Sequence, residues 1–214
     1  MPEPIDSPRR IQLIEAAGRL FRASGFRAVT MEAIAAEAGV AKATLYNHFA
    51  EKSTVFAAVA DHVTRMIADA MQSELGARGH VDERLARGLI ARHKLIFELV
   101  DGSPHARELM TARDSFARAP VEKIDQQMIA ALAAVVHEDS RLAKSAQEIA
   151  ITLFFGSIGV CAHARSSEDV EAAVGRFVRP YLLGVRALVS RGGAAEASGV
   201  SEAPGRRAAR TGRV

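Results

Sequence analysis

Side chains that donate hydrogen bonds are concentrated between residues 42 and 48 of this 214-residue chain, in the segment KATLYNH. Lys42 can neutralise a phosphate or reach a guanine edge, and Thr44 and Tyr46 can donate to phosphate oxygens. Asn47 can bond to a base. A short helix with these side chains on its outer face has the chemistry of a nucleic-acid contact.

The histidines do not form a catalytic or metal-binding pattern. His48 can donate to a phosphate as a neutral imidazole without being a base or a ligand. No HxxxH, HxH or ExxH pairing occurs, and no nucleophile elbow, P-loop or dinucleotide glycine motif is present. We therefore expect no catalytic residue, no metal site, no cofactor and no enzyme. The histidines are His48, His62, His80, His93, His105, His137 and His163.

Two short helices joined by a glycine turn must position the donor-rich segment. Thr30 is a good N-cap for a helix that ends at Gly39, and residues 41–49 supply the next helix, with Leu45 on its inner face. Ala35 is small enough for the two helices to cross closely, and Gly39 permits the sharp turn. This arrangement is a helix-turn-helix with an outer face available to DNA.

The remaining sequence also has helical periodicity. Apolar residues recur at spacings of three and four from residue 9 to 24, where Gly25 closes the first helix. Further helices are predicted at 52–76, 82–100, 105–118, 121–138, 144–164 and 168–190, and no segment alternates with a period of two. The sequence therefore predicts an all-α protein.

The formal charge of +3 gives little support for nucleic-acid binding by itself. Residues 191–214 contain five arginines and two glutamates, so they account for the whole net charge. They have no apolar face, and we expect a disordered Arg-rich tail that either adds to the grip on DNA or only solubilises the chain. The case for DNA must rest on the specific residues above.

Composition indicates a soluble globular protein, with 49% apolar and 25% charged residues. The single cysteine, Cys161, excludes a disulfide framework. The N-terminus lacks the apolar core of a secretory signal, and the longest apolar stretch, 149–164, is short for a bilayer span. We expect a cytoplasmic protein with no membrane partner.

The segment TMEAIAAEAGVAKATLYNHFAEK, from Thr30 to Lys52, resembles the DNA-binding domain of the TetR family of transcriptional regulators. The family pattern has Thr or Ser at the start of the second helix, then I-A-x-x-A-G-V and x-x-T/S-L/I-Y-x-H/Y-F-x-x-K. The chain departs at Ala41, where many members have Ser, and at Ala43, which is often Gly. The missing hydroxyl at Ala41 puts one local cap in doubt and leaves the fold unaffected.

The resemblance implies which residues touch DNA. Contacts that are mostly to phosphates are expected from Thr30, Lys42, Thr44, Tyr46, His48 and Lys52. Residues at the variable positions are the candidates for contacts in the groove: Met31, Glu32, Lys42, Ala43 and Asn47.

The resemblance also implies a fold with two domains. An N-terminal three-helix helix-turn-helix DNA-binding domain at 9–52 precedes a C-terminal helical ligand-binding and dimerisation domain at 53–190. Residues 1–8 are then a flexible N-terminus, and residues 191–214 are the tail. The implied function is that of a repressor that binds a palindromic double-stranded operator as a homodimer and is released by a small effector. An activator or a ligand-independent regulator of the same fold is the alternative.

The last two helices are the best candidates for the dimer interface, because they combine small and apolar residues. The interface candidates are Phe155, Gly159, Phe177, Tyr181 and Val185. A pocket with apolar walls and few polar groups suits a lipophilic effector, and an inward-facing Arg113 favours an anionic one such as a fatty or aromatic acid. The pocket candidates are His93, Phe97, Met110, Arg113, Phe116, Met128, Phe154 and His163.

Overall fold

The computed structural model describes residues 7–100, residue 105 and residues 118–198. Its regular structure in these ranges is helical, which confirms the predicted all-α class. A 3₁₀ turn at Ala143–Ser145 precedes the seventh helix. The helices are α1 (Pro8–Ala28), α2 (Met31–Glu37), α3 (Lys42–His48), α4 (Lys52–Gly76), α5 (Val81–Val100), α6 (Arg118–His137), α7 (Ala146–Cys161) and α8 (Ser167–Ser198).

Local signals account for both ends of α1. The Arg10 amide donates to Ser7 Oγ at 3.2 Å, and Pro8 lies at the helix start, where its missing N–H has no intrahelical partner to lose. Gly25 interrupts the helix with a φ of 77°, a left-handed conformation that favours glycine. The helix thus breaks where the sequence predicts its end, and the chain makes one more turn to Ala28.

The first three helices and the beginning of α4 share one apolar core. The rings of Phe21, Phe26 and Phe56 lie with their centroids between 5.1 and 5.7 Å apart. Buried aliphatic residues from α2 and α3 complete this core, including Ile34 and Leu45. The helix-turn-helix is therefore held against α1 and α4 by a continuous apolar contact.

Helix α4 runs through both cores of the protein. Val55, Phe56 and Val59 belong to the N-terminal core, whereas Ile67 and Met71 belong to the C-terminal core. The N-terminal core thus extends past the expected boundary at residue 52, and the transition between the cores lies inside α4. Helix α4 is therefore a continuous structural connection between the helix-turn-helix and the C-terminal core.

The C-terminal core is formed by the second half of α4 together with α5 to α8. Helix α8 contributes one buried residue per turn, at Val170, Val174, Val178 and Leu182. Helix α7 packs closely on α8: a methyl group on Gly156 would lie 2.5 Å from the Phe177 ring. No helix within the described ranges is long and apolar enough to cross a bilayer.

Several helix ends differ from the expected ones. Helix α6 starts at Arg118 instead of residue 121, because Pro120 falls in the first turn, where its missing N–H is tolerated. Helix α8 continues to Ser198 instead of ending at residue 190, and this extension contains the good helix formers Ala194, Ala195 and Ala197. Residues 191–198 of the expected tail are thus helical, and the disorder of the tail stays a prediction. The predicted helix at 105–118 lies outside the described residues except at its two ends.

Candidate nucleic-acid interface

The turn between α2 and α3 sets the geometry of the helix-turn-helix. Thr30 caps α2 by accepting a hydrogen bond from the Ala33 amide at 3.1 Å. Gly39 has a φ of 65°, and the next amide, of Val40, donates to the Ala35 carbonyl at 2.9 Å. Leu45 is fully buried, which fixes the rotation of α3.

With Leu45 buried, α3 turns its polar residues outward. Lys42, Ala43, Tyr46 and Asn47 are exposed, while Thr44 and His48 are half-buried. Tyr46 exposes 43% of its surface, although a tyrosine gains from burial of its ring. The outer face of α3 therefore presents donors from one short helix to solvent, as a DNA contact requires.

An ion pair connects this face to the start of α2. The Lys42 ammonium contacts the Glu32 carboxylate and lies 5.7 Å from the centroid of the Tyr46 ring. The hydrogen bond from Lys42 lowers the pKa of Glu32, and the same bond raises the pKa of Lys42. Both groups are thus charged at neutral pH.

Two of the predicted DNA contacts are placed differently by the structure. Met31 is buried in the N-terminal core with 7% of its surface exposed, so it is not available to a groove. The Lys52 ammonium points inward and donates to the carbonyls of Phe26, Arg27 and Val29 at 2.7, 3.3 and 2.7 Å. These three bonds engage all three ammonium hydrogens. Lys52 therefore holds the start of α4 to the C-terminal end of α1 and does not point towards a phosphate.

We expect Lys52→Met to destabilise the protein by about 2 kcal/mol, because charged hydrogen bonds to three carbonyls are lost. The salt dependence of binding to a mixed-sequence duplex should stay unchanged, since no phosphate contact is removed. Urea unfolding and fluorescence anisotropy at several salt concentrations measure the two quantities. Lys42→Met is the matched comparison: it should flatten the salt dependence with little loss of stability. A flatter salt dependence for Lys52→Met at unchanged stability would contradict the inward role.

In the C-terminal core, α5 and α7 bring together a buried polar cluster. Arg92 Nη1 lies 3.1 Å from His93 Nε2, which is 2.8 Å from Ser157 Oγ. Burial and the Arg92 charge lower the pKa of His93 to about 3, so the ring is neutral at pH 7. The Ser157 hydroxyl also donates to the Phe154 carbonyl at 2.7 Å, within its own helix. The Arg92 guanidinium also stacks 4.4 Å from the centroid of the Phe154 ring.

A groove of about 1180 Å³ lies between α4 and α6. Its floor is apolar, with Ala68, Ile124 and Met128, and its walls are charged. The wall residues include Asp61, Arg65, Asp69 and Lys123. The groove can therefore accommodate a ligand with an apolar part and a charged group.

The predicted pocket residues are not all brought together. Met128 lines the groove, His93 and Phe154 belong to the buried cluster, and Phe97 is half-buried. His163 is exposed beyond the end of α7, apart from the buried cluster, and its place in a pocket stays a prediction. Met110, Arg113 and Phe116 lie outside the described residues.

Sequence reasoning missed Arg92 and Ser157. A signal was available for Arg92, which lies three residues after Leu89 and four before Ile96, on the apolar face of α5. A charged residue at such a position is a candidate for a buried polar contact. Ser157 occupies the matching position on α7, three residues after Phe154.

The predicted interface residues also separate into two groups. Phe155 and Gly159 are exposed on α7. Phe177, Tyr181 and Val185 are half-buried and pack against the C-terminal core, with the first two rings stacked 5.8 Å apart. The most exposed large apolar residues described on α8 are instead Leu183 and Leu188, each with 69% of its surface exposed.

Comparison with known proteins places the helix-turn-helix in a family. Residues 13–59 match the model of the bacterial regulatory proteins of the tetR family. These residues are thus a TetR-family DNA-binding domain. The match ends at Val59, the last buried residue of the N-terminal core. No curated protein matches the chain in sequence.

Solved structures of TetR-family proteins share the fold over most of the chain. A protein of Mesorhizobium loti MAFF303099, described as a TetR-family transcriptional regulator, is 20% identical with a TM-score of 0.62, covering 83% of this chain and 98% of its own. The repressor AlkX from Dietzia sp. strain DQ12-45-1b, implicated in biodegradation of n-alkanes, is 19% identical with a TM-score of 0.55, covering 82% and 97%. AibR in complex with isovaleryl coenzyme A and operator DNA is 19% identical with a TM-score of 0.54, covering 79% and 98%. At these identities the likeness shows the fold alone.

Proposed function

We propose that this TetR-family regulator is a repressor that binds a palindromic operator as a homodimer and leaves it when a small effector binds. The observation that carries the proposal is the outward face of α3. A buried Leu45 and a buried Phe49 fix this helix, and Lys42, Tyr46 and Asn47 remain exposed. Such a face has no use in a folded core and suits the major groove.

The exposed apolar residues of α7 and α8 support the homodimer. Ile151, Phe155 and Ile158 are exposed on α7 at spacings of four and three, so they lie on one face. Leu183 and Leu188 are exposed on the neighbouring α8. We call these five residues the α7–α8 face. We infer that a second copy of this chain covers the α7–α8 face, because a palindromic operator has two half-sites about one helical turn of DNA apart. Two linked DNA-binding domains are needed to occupy both.

We propose two domains: a DNA-binding domain at residues 9–52 and an effector domain at residues 53–190. Their apolar cores meet inside α4. The proposed effector site is the groove between α4 and α6. The apolar residues of the groove favour an effector with an acyl or alkyl chain, and Lys123 offers a cation to an anionic group, which agrees with the isovaleryl coenzyme A bound by AibR. Because α4 contributes to both cores, occupancy of the groove can move the helix-turn-helix.

Thermal unfolding in the presence of medium-chain fatty acids, or of their coenzyme A esters, tests the proposed effector site. We expect either the acids or the esters to raise Tm and to weaken operator binding. A Tm that stays unchanged with both kinds of compound would contradict the proposal.

The test of sequence-specific DNA binding is selection from a random duplex library, followed by footprinting on the selected site. We expect Tyr46→Ala to weaken binding to that site about tenfold or more, since a donor to a phosphate is lost. Tyr46→Phe, which keeps the ring and loses the hydroxyl, should show most of the same loss. The fold should be unaffected, because Tyr46 is exposed. If the wild-type chain selects no motif, or if Tyr46→Ala binds as the wild type does, the proposed interface is wrong.

Repression is distinguished from activation by transcription in vitro from a promoter that carries the selected site. A repressor lowers the transcript level in proportion to site occupancy, and an effector restores it. A transcript level that rises with occupancy would instead identify an activator.

A further inference from the structure

The Glu32–Lys42 pair joins a carboxylate of α2 to a hydrogen-bond donor of α3. Glu32 lies in the first turn of α2, and Lys42 is the first residue of α3. Their helices are held in register by the shared core, in which Ile34 and Leu45 are fully buried. The pair therefore has a defined position beside the face that is proposed to enter the major groove.

The pair offers two complementary groups side by side. The carboxylate accepts hydrogen bonds only, and the ammonium donates only. Both side chains expose more than half of their surface, 57% for Glu32 and 58% for Lys42, so both groups are available to DNA. The Tyr46 ring on the next turn of α3 attracts the ammonium, which favours its position over the helix face.

This arrangement matches the major-groove edge of one base pair better than it matches the DNA backbone. Guanine presents two neighbouring acceptors, O6 and N7, and the paired cytosine presents a donor at N4. An ammonium beside a carboxylate complements that edge. Adenine places an amino group beside its N7, which repels the ammonium, and thymine adds a methyl group. A phosphate attracts Lys42 but repels Glu32.

We propose that Glu32 and Lys42 act together to recognise one G·C base pair in each half-site, with Lys42 donating to guanine and Glu32 accepting from cytosine N4. This inference rests on the proposed DNA-binding function and adds to it the identity of a recognised base pair. Glu32 also weakens binding to DNA that lacks this pair, because there its charge faces phosphates without a donor. Glu32 is thus a specificity-determining residue, and its loss should strengthen non-specific binding.

The test compares the full chain with its Glu32→Gln variant by selection from a random duplex library. The control is Glu37→Gln, which removes the same charge from the same helix. Glu37 is exposed and pairs with Arg19 of α1 at 2.9 Å, away from α3. We expect the wild type and Glu37→Gln to select a G·C pair at one fixed position of each half-site, and Glu32→Gln to discriminate there about tenfold less.

A second measurement uses a duplex of mixed sequence that contains no selected site. Glu32→Gln should bind it several-fold more tightly than Glu37→Gln does, because only Glu32 lies beside the DNA-contacting lysine. The inference is overturned if Glu32→Gln selects the same motif with the same preference at every position, or if the two variants bind mixed DNA equally. A wild type that selects no motif overturns the proposed function itself, and a motif without the Glu32 effect overturns this inference alone.

Discussion

Replacing Phe155 by Asp should convert the proposed dimer into a monomer and weaken binding to the selected site about 10²–10⁴-fold. Phe155 exposes 56% of its surface in the middle of the α7–α8 face. A carboxylate there cannot be desolvated against an apolar partner without a large cost. Each reading head then binds its half-site alone, and the gain from linking two heads is lost. Sedimentation velocity gives the oligomeric state, and anisotropy gives the operator affinity.

Met66→Asp is the matched control for this change. Met66 exposes 42% of its surface on α4, outside the α7–α8 face, so the same substitution there should leave a dimer. The fold of Phe155→Asp should be intact, because the side chain is not part of the C-terminal core. A Phe155→Asp variant that stays dimeric and binds the palindrome normally would show that the second copy does not use this face.

The helix-turn-helix could be predicted from sequence because its signals are local. Thr30 as a cap, Gly39 in the turn and Leu45 on the inner face each depend on neighbours a few residues away. The same reasoning placed Lys42, Tyr46 and Asn47 on the exposed face. A family resemblance over the same segment then added the expected partner of that face.

The directions of Met31 and Lys52 depend on contacts that are distant in sequence. Lys52 is bound by carbonyls 23 to 26 residues earlier, which are available as acceptors because they lie in the last turn of α1 and just beyond it. Met31 belongs to the core because α2 rotates to bury Ile34 and Ala35. No periodicity within one helix contains that information. The residues misassigned by sequence are therefore those whose role is set by tertiary contacts.

In the C-terminal domain the helices were predictable and the sites were not. The three- and four-residue spacing of apolar residues predicts the buried face of α8. Which residues contact its outward-facing side chains depends instead on how the helices pack against one another. Leu183, with 69% of its surface exposed, shows this, because an apolar residue in a helical pattern is normally assigned to the core. The ion-pair network around Arg186 is a further example, since it joins residues from three parts of the chain.

Arg186→Met should cost about 2–4 kcal/mol of unfolding free energy at neutral pH, because Arg186 holds two carboxylates together. Its guanidinium pairs with Asp82 of α5, donating to Oδ2 at 2.7 Å, and its Nε donates to Asp139 Oδ2 at 2.8 Å. The side chains of Arg186 and Asp139 are only 15% and 10% exposed, so the pair is poorly screened. Without Arg186, two carboxylates remain close together with less compensation.

The loss should depend on pH in a defined direction. Burial would raise the pKa of Asp139, but hydrogen bonds from Arg141 and Arg186 outweigh it and lower the pKa to about 2. A depressed pKa in the folded state gives stability that is present above about pH 4 and is lost as the pH falls towards 2. The difference between the wild type and Arg186→Met should therefore shrink over that range, as urea unfolding at pH 7 and pH 3 measures.

Arg141→Met is the matched control for Arg186→Met. It removes an arginine that also pairs with Asp139 but is exposed, so it tests whether burial of the ion pair determines its contribution to stability. Arg141 also donates to Asp139, through Nε at 3.2 Å, but 61% of its side chain is exposed. An exposed pair of this kind contributes about 1 kcal/mol or less. Two results would contradict a stabilising role for the Arg186–Asp139 pair at the junction of α5, α6 and α8. One is an equal loss of unfolding free energy in both arginine variants, and the other is a loss from Arg186→Met that is the same at pH 7 and pH 3. If Arg186→Met alone shows a large loss of unfolding free energy that depends on pH, burial of the ion pair stabilises this junction. The number of ion pairs then matters less than their burial.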